Sequence, residues 1–439
     1  MICLFMTLPA WAPLSPRIEV VAPWRIRVSA GTIAGPQGSI VLRRSTVLNV
    51  EPPPVYVVRD ERYDALPLFD AHWPSWAKGI PLAHLRTEET TAAGMLIPGS
   101  LVLKQGPGDA PRYVAGKDYA LDVEWARLAR LPGGVPEGTP VWADYSYSEN
   151  RLDAVVVDRN GRVELRKGDP HLATPHAPAV AKDEARLANV WIPGRLERLG
   201  ADNIYEIVEP RYPEPRYAEP PAVRLLPKTW AKLHSGAPLH ILAWGDSVTA
   251  GGAASDVEHR YQNQFVAMLR RKFPRAQITL TTAGWGGRSS ESFLREPPGA
   301  PFNFDHAVIE PKPDLVIMEF VNDAYLTPQQ VEERYSYFLK RFQEIGAEWI
   351  ILTPHFVRPD WMGASSLRVE ADPRPYVAGL RAFAQRHHIA LADASLRWGH
   401  LLKEGIPYIT LLANCINHPD DRGHEIFARS LMELFGGAP

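Results

Sequence analysis

The apolar positions of this chain follow two different rhythms. From Ile18 to about residue 208 they come in short runs rich in Val, Ile, Tyr and Trp, such as "IEVVAPWRIRVS", "GSIVLRR", "TPVWADYSYS" and "LDAVVVD", broken by Gly and Pro clusters. In "DRNGRVEL" (158–165), Asn160-Gly161 supplies residues that tolerate positive φ between two apolar runs, which predicts a hairpin. Many short strands with few helical patterns predict a β-sandwich-like accessory domain over 18–208. The next stretch, "EPRYPEPRYAEPPA" (209–222), holds five prolines, which deny it helix and central strand and predict a stiff, extended linker.

From 223 to 439 short buried-type strands alternate with helical patterns. Strands are expected at "LHILAW" (239–244), "QITLTT" (277–282), "DLVIMEF" (314–320), "EWIILT" (348–353) and "IALAD" (389–393). The clearest helix is Pro328–Ile345, where Thr327 and Gln330 form a capping-box pattern, Pro328 takes the first helical position and Gly346 marks the stop. Others are expected at Tyr261–Phe273, Arg374–His387 and Asp421–Phe435. Strand, helix, strand, helix predicts a parallel sheet covered on both faces, with chemistry collected at the C-terminal ends of the strands.

The residues at those strand exits are chemically suggestive as a set. After the first strand, "GDSVTAGG" places Ser247 on a tight turn, although a lone Gly-Asp-Ser is more often a turn or N-cap serine. After the second, "AGWGGRSS" exposes the N–H groups of Gly286 and Gly287, either as a flexible turn or with Gly287 donating to an oxyanion. After the third, "FVNDA" places Asn322 with a side-chain amide that could be another donor or ordinary turn chemistry. Near the C-terminus, His418 precedes Pro419, which biases it toward an extended loop ahead of the last helix. Together these supply a nucleophile, oxyanion donors and a base.

In that order the four blocks make residues 239–439 resemble an SGNH hydrolase of the GDSL esterase/lipase superfamily. The resemblance implies a flavodoxin-like three-layer α/β fold with Ser247 as nucleophile and His418 as base. It also implies an oxyanion hole from the backbone N–H groups of Ser247, Gly287 and Asn322, and no metal or cofactor. Two departures stand out. Phe320 occupies the place of a glycine two residues before the asparagine, and the usual Asp-x-x-His reads Cys415-Ile416-Asn417-His418.

The acid that should orient His418 is therefore missing. Cys415 is a poor substitute, because an ordinary thiol with a pKa of about 8.5 is mostly neutral at pH 7. It is read as a buried thiol, not as a nucleophile. A backbone carbonyl in the 413–416 loop is the favoured acceptor for Nδ1–H, which makes the site a Ser-His dyad. The alternative is an Asp from another strand exit, Asp393 or Asp372. Asp420 and Asp421 read as helix N-terminal residues, His424 as structural and His355 as a cleft-lining candidate.

Composition changes this picture little. A chain of 439 residues exceeds one hydrophobic core, which agrees with two domains. A net charge of -2 with scattered Arg and Lys gives no footprint for nucleic acid, and no stretch approaches the ~20 apolar residues of a membrane span. Two cysteines make no disulfide framework. The start "MICLFMTLPAWAPLSP" has an A-x-A-like end but no basic n-region. Residues 1–17 thus read as a truncated signal, with secretion or a periplasmic location, or as a disordered terminus of a cytoplasmic protein.

With no long apolar lid between the blocks, the expected substrate is a short-chain ester, O-acetyl on carbohydrate foremost. That choice also follows a resemblance in architecture to two-domain carbohydrate acetylesterases. The rival readings are a lysophospholipase or acyl-thioester hydrolase, and a catalytically impaired carbohydrate-binding or surface protein.

Overall fold

The computed structural model describes residues 15–437, so the signal-like start up to residue 14 and Cys3 lie outside the described residues. The chain forms two compact units. The first comprises the residues up to Ile80 together with Ala93–Val208, and the second combines Pro81–Ala92 with Glu209–Pro439.

The first unit is built from small antiparallel sheets. Three strands, Ile18–Ala22, Arg25–Val28 and Thr46–Asn49, pair in one sheet. A four-stranded sheet contains Arg151–Val157, Val163–Arg166, Ala185–Ile192 and Ile204–Glu206. Ile26, Val28, Ile40 and Leu42 share a buried core with Val155, Val157, Val190 and Ile192, the sandwich-like arrangement that the alternating patterns call for. The expected hairpin joins Val157 to Val163, and Gly161 takes a φ of +81° in its turn.

In the second unit five strands form one parallel sheet. They are β1 (Pro238–Gly245), β2 (Gln277–Gly284), β3 (Leu315–Glu319), β4 (Glu348–Leu352) and β5 (Ala390–Ala392), in the order β2-β1-β3-β4-β5. Successive residues of β1, β3 and β4 enter opposite cores, as pleated strands buried on both faces must. Leu239, Ile241, Ile317 and Ile350 pack with Phe265 of α2 (Tyr261–Lys272) and Phe427 of α5 (Asp421–Glu433). Leu242, Trp244, Met318 and Ile351 pack with Phe338 of α3 (Pro328–Ile345) and Leu380 of α4 (Pro375–His387). The capping box of α3 is present: Thr327 Oγ1 accepts from Gln330 N at 3.3 Å, and Gln330 Oε1 accepts from Thr327 N at 2.9 Å. This is the flavodoxin-like three-layer α/β arrangement.

Two expectations need correction. Of the proline-rich stretch 209–222, residues 209–220 lack helix and strand, but Pro221 and Ala222 open the short helix Pro221–Leu225, where proline is tolerated in the first turn, and the stretch is not a bare spacer. Glu209 N donates to Lys403 O, the Arg397 guanidinium lies 4.2 Å from the Tyr212 ring centre, and Arg397 pairs with Glu214. In addition, Pro81–Ala92 falls inside the stretch read as the accessory domain, yet it belongs to the hydrolase-like unit. It carries one-turn 3₁₀ structure at Ala83–Leu85 and a single antiparallel bridge between Arg86 and Thr91, and no sequence periodicity marks where such a loop docks.

Candidate active site

Strand order reverses at β1, with β2 on one side and β3 on the other, so the crevice for ligands opens at its C-terminal end. Register brings the exits level: Gly245 pairs with Gly284 of β2 and with Glu319 of β3. Gly245 is required there. A Cβ on it would lie 2.1 Å from Thr249 Oγ1 and 2.2 Å from Glu319 O.

Asp246 caps the short helix α1 (Ser247–Ala250) by accepting from Val248 N at 3.1 Å, and its second oxygen accepts from Asn322 N at 2.9 Å. One carboxylate thus ties the first and third exits together. Burial pushes Asp246 up to about 7, although those two N–H donors act against the rise. Burial first, and then the nearby Asp246, hold Glu319 well above the usual carboxylate range.

Ser247 Oγ lies 2.9 Å from His418 Nε2, and both residues are buried. The second exit passes beside them: a Cβ on Gly286 would stand 3.9 Å from Ser247 Cβ. Gly287 takes a φ of +70°, with open space where a side chain would project. Asn322 Nδ2 donates one hydrogen to Arg288 O at 3.2 Å and keeps a second. The Asn322 backbone N–H, which the resemblance implies as an oxyanion donor, is committed to Asp246, whereas the side-chain amide read from the strand exit keeps a free hydrogen. The absent glycine of the third block has a simple account. Phe320 has an extended φ of −141°, which any residue adopts, and its ring packs edge-on to Trp244 at 5.0 Å.

The loop that carries His418 is shaped by Asn414, a residue that sequence reasoning missed. Its Oδ1 accepts from the N–H groups of Ile416, Asn417 and His418 at 2.8–2.9 Å. His355 does not line the cleft. It is fully buried behind this loop, donates Nε2–H to Asn417 O at 2.6 Å, and burial together with Arg374 keeps it neutral. His424 is structural as expected: Nδ1 accepts from Tyr261 N and Nε2–H donates to Gly252 O.

His418 Nδ1 faces Glu88 Oε2 at 2.7 Å, with Glu89 Oε2 at 3.5 Å. Neither the favoured backbone carbonyl nor the two candidate aspartates takes that place. Asp393 is bound to Arg381 and Thr353, and Asp372 to Arg374 and Ser395, because buried or half-buried guanidinium groups claim those carboxylates first. Burial disfavours the imidazolium, but the Glu88 hydrogen bond and the charges of Glu88, Glu89 and Asp246 outweigh it, so the His418 pKa is raised. Glu88, Glu89 and His418 also offer ligand atoms within 4.8 Å of one another. A cation seated there would take the Nδ1 lone pair and leave Nε2 protonated toward Ser247.

Residues 243–426 match the GDSL-like Lipase/Acylhydrolase family. Among solved structures the chain is similar to a two-domain esterase (CEX) active on acetylated mannans, at 20% identity and a TM-score of 0.40 over 48% of this chain and 52% of that one. It thus spans about half the length of that esterase. It is also similar to a mutant of Axe2, an acetyl-xylooligosaccharide esterase from Geobacillus Stearmophilus (21% identity, TM-score 0.36, 45% of this chain and 94% of that one). A third is a member of the lipolytic protein G-D-S-L family from Veillonella parvula DSM 2008 (17%, 0.35, 45% and 98%). No curated protein matches the chain. Among the described residues no helix is long and apolar enough to cross a membrane. Residues 243–426 are therefore a GDSL-like lipase/acylhydrolase domain.

Proposed function

We propose that the protein is a serine esterase that removes short acyl groups, O-acetyl foremost, from carbohydrate. The observation that carries this reading is the 2.9 Å contact between Ser247 Oγ and His418 Nε2. Ser247 Oγ attacks the ester carbonyl while His418 Nε2 takes its proton. The carbonyl oxygen, now negative, is met by the N–H groups of Ser247 and Gly287 and by the free hydrogen of Asn322 Nδ2. The imidazolium then protonates the leaving alcohol, and an acyl-enzyme remains. Water, deprotonated by the same imidazole, attacks the acyl carbonyl, and collapse returns the proton to Ser247 and releases the acid.

A carbohydrate alcohol suits the aromatic residues that follow the exits. Trp285, stacked on Phe302 with ring centres 4.6 Å apart, precedes Gly286, and the exposed Tyr325 lies three residues after Asn322. The test is acetate release from acetylated mannan, acetylated xylan and acetylated chitooligosaccharide, beside rates on p-nitrophenyl acetate and decanoate. The acetyl ester should be cleaved far faster than the decanoyl ester, with Ser247→Ala inactive on all. Preference for the decanoyl ester or for lysophospholipid would overturn the substrate assignment.

A further inference from the structure

We propose that Glu88, 330 residues upstream of the base, is the carboxylate that positions His418, completing a Glu88–His418–Ser247 triad. The proposal rests on the reading of Ser247 and His418 as nucleophile and base. Glu88 acts through the imidazole, not on substrate, and is therefore a positioning residue. Its carboxylate accepts Nδ1–H, which leaves the Nε2 lone pair directed at Ser247 Oγ, and it stabilises the imidazolium once the proton has moved.

The segment that carries Glu88 is built to hold it there. Leu82, Leu85, Thr91 and Ala92 are fully buried. Ala92 N donates to Leu85 O at 2.8 Å, Thr87 N to Thr90 O at 3.1 Å, and Arg86 bridges Thr91 as an antiparallel pair. These contacts close a small loop with Glu88 and Glu89 at its tip, where Glu89 takes a φ of +58°, a left-handed conformation uncommon for a residue with a Cβ. Thr90 Oγ1 then donates to Asn414 O at 2.6 Å, so the loop with the acid is fastened to the loop with the base. That bond also occupies a carbonyl of the 413–416 loop, one of those expected to orient the histidine.

Glu88 is preferred to Glu89 on distance and burial. The Glu88 side chain is 31% exposed and 2.7 Å from Nδ1, whereas Glu89 is 62% exposed and 3.5 Å away, so water screens it more. The other titratable groups around the ring are Asp246 from the β1 exit and the buried, neutral His355 and His424. None of these is hydrogen-bonded to Nδ1.

The experiment compares full-length Glu88→Gln, Glu88→Asp, Glu88→Ala and Glu89→Gln on p-nitrophenyl acetate across pH, with Ser247→Ala and Asp393→Asn as references. Glu88→Gln should lower kcat by roughly 10²–10⁴-fold with little change in KM. The acid limb of its residual kcat/KM profile should move to lower pH, because the imidazolium has lost its strongest partner. Glu88→Asp should recover part of the rate, formate should rescue Glu88→Ala, Glu89→Gln should cost far less than Glu88→Gln, and Asp393→Asn should stay within about threefold of wild type. The far-downfield proton resonance of Nδ1–H should vanish in Glu88→Gln, a signature that a merely structural role would not affect.

A Glu88→Gln enzyme with wild-type kcat, or one slowed with its acid limb unmoved, overturns the proposal while leaving Ser247 as nucleophile. Activity in Ser247→Ala would instead overturn the underlying reading.

Discussion

Thr90 Oγ1 donates a 2.6 Å hydrogen bond to the main-chain carbonyl of Asn414, across 324 residues of sequence, and both residues are buried. Thr90→Val keeps the shape and removes the donor, leaving a buried carbonyl without its partner, at a cost of about 1–3 kcal/mol. The melting temperature should fall accordingly. In addition, kcat should drop several-fold while KM stays near wild type, since the loops that hold Glu88 and His418 lose their clamp. Steady-state kinetics beside a thermal melt separates the two effects.

Gly252 lies against the imidazole of His418. A Cβ there would approach His418 Nδ1 to 2.9 Å and Cε1 to 3.0 Å, while the Gly252 backbone is not in the left-handed region. Gly252→Ala therefore tests ring placement with little backbone strain. It should reduce kcat by roughly 10-fold or more through misalignment, with a melting temperature close to wild type. An unchanged kcat would mean that the ring can move without penalty.

Asn322 divides its donors: the main-chain N–H serves Asp246, and the side-chain amide gives one hydrogen to Arg288 O and keeps the other. Asn322→Ala keeps the first and removes the second. If the amide meets the oxyanion, kcat should fall by about 10²–10³-fold with KM little affected. Single-turnover acylation is the decisive measurement, because the loss should appear in the chemical step.

His424 offers a pH test. Burial pushes its pKa down to about 4, from an ordinary value of 6.5. Between those values the unfolded chain binds a proton that the folded chain refuses, so this residue makes stability fall as pH drops through that window. Gln at 424 can accept from Tyr261 N and donate to Gly252 O without titrating. His424→Gln should therefore lose less stability than wild type between pH 7 and pH 4.5, by about 2–3 kcal/mol, read from urea unfolding at the two values. Carboxyls raised by burial, such as Asp246, push the slope the other way in both proteins and cancel in the comparison.

The sheet and its helices were legible because periodicity is a local signal. Val331, Tyr335, Phe338 and Phe342 recur along one face of α3, and "LVIME" is buried at every position of β3. Ser247, Gly287, Asn322 and His418 were legible because each follows a strand or precedes a helix that pattern alone locates. Glu88 was not. It sits in "HLRTEETTAAG", a stretch with neither helical nor strand rhythm, and its role arises from a contact that no local pattern encodes. Asp372 and Asp393 were near the right rim by topology, but proximity of elements does not reveal that Arg374 and Arg381 already claim their oxygens. Asn414 was equally hidden, because its three acceptances depend on a loop path that the sequence of that loop does not announce.

The 330-residue separation between Glu88 and His418 has a consequence for biosynthesis. At a translation rate of about 5–20 residues per second, the acid leaves the ribosome roughly 20 s to a minute before the base exists. Through that interval the nascent polypeptide can mature its upstream sheets while holding an unmatched carboxylate. On the proposed mechanism, the set of Ser247, His418 and Glu88 is complete only once the loop before the last helix has been made.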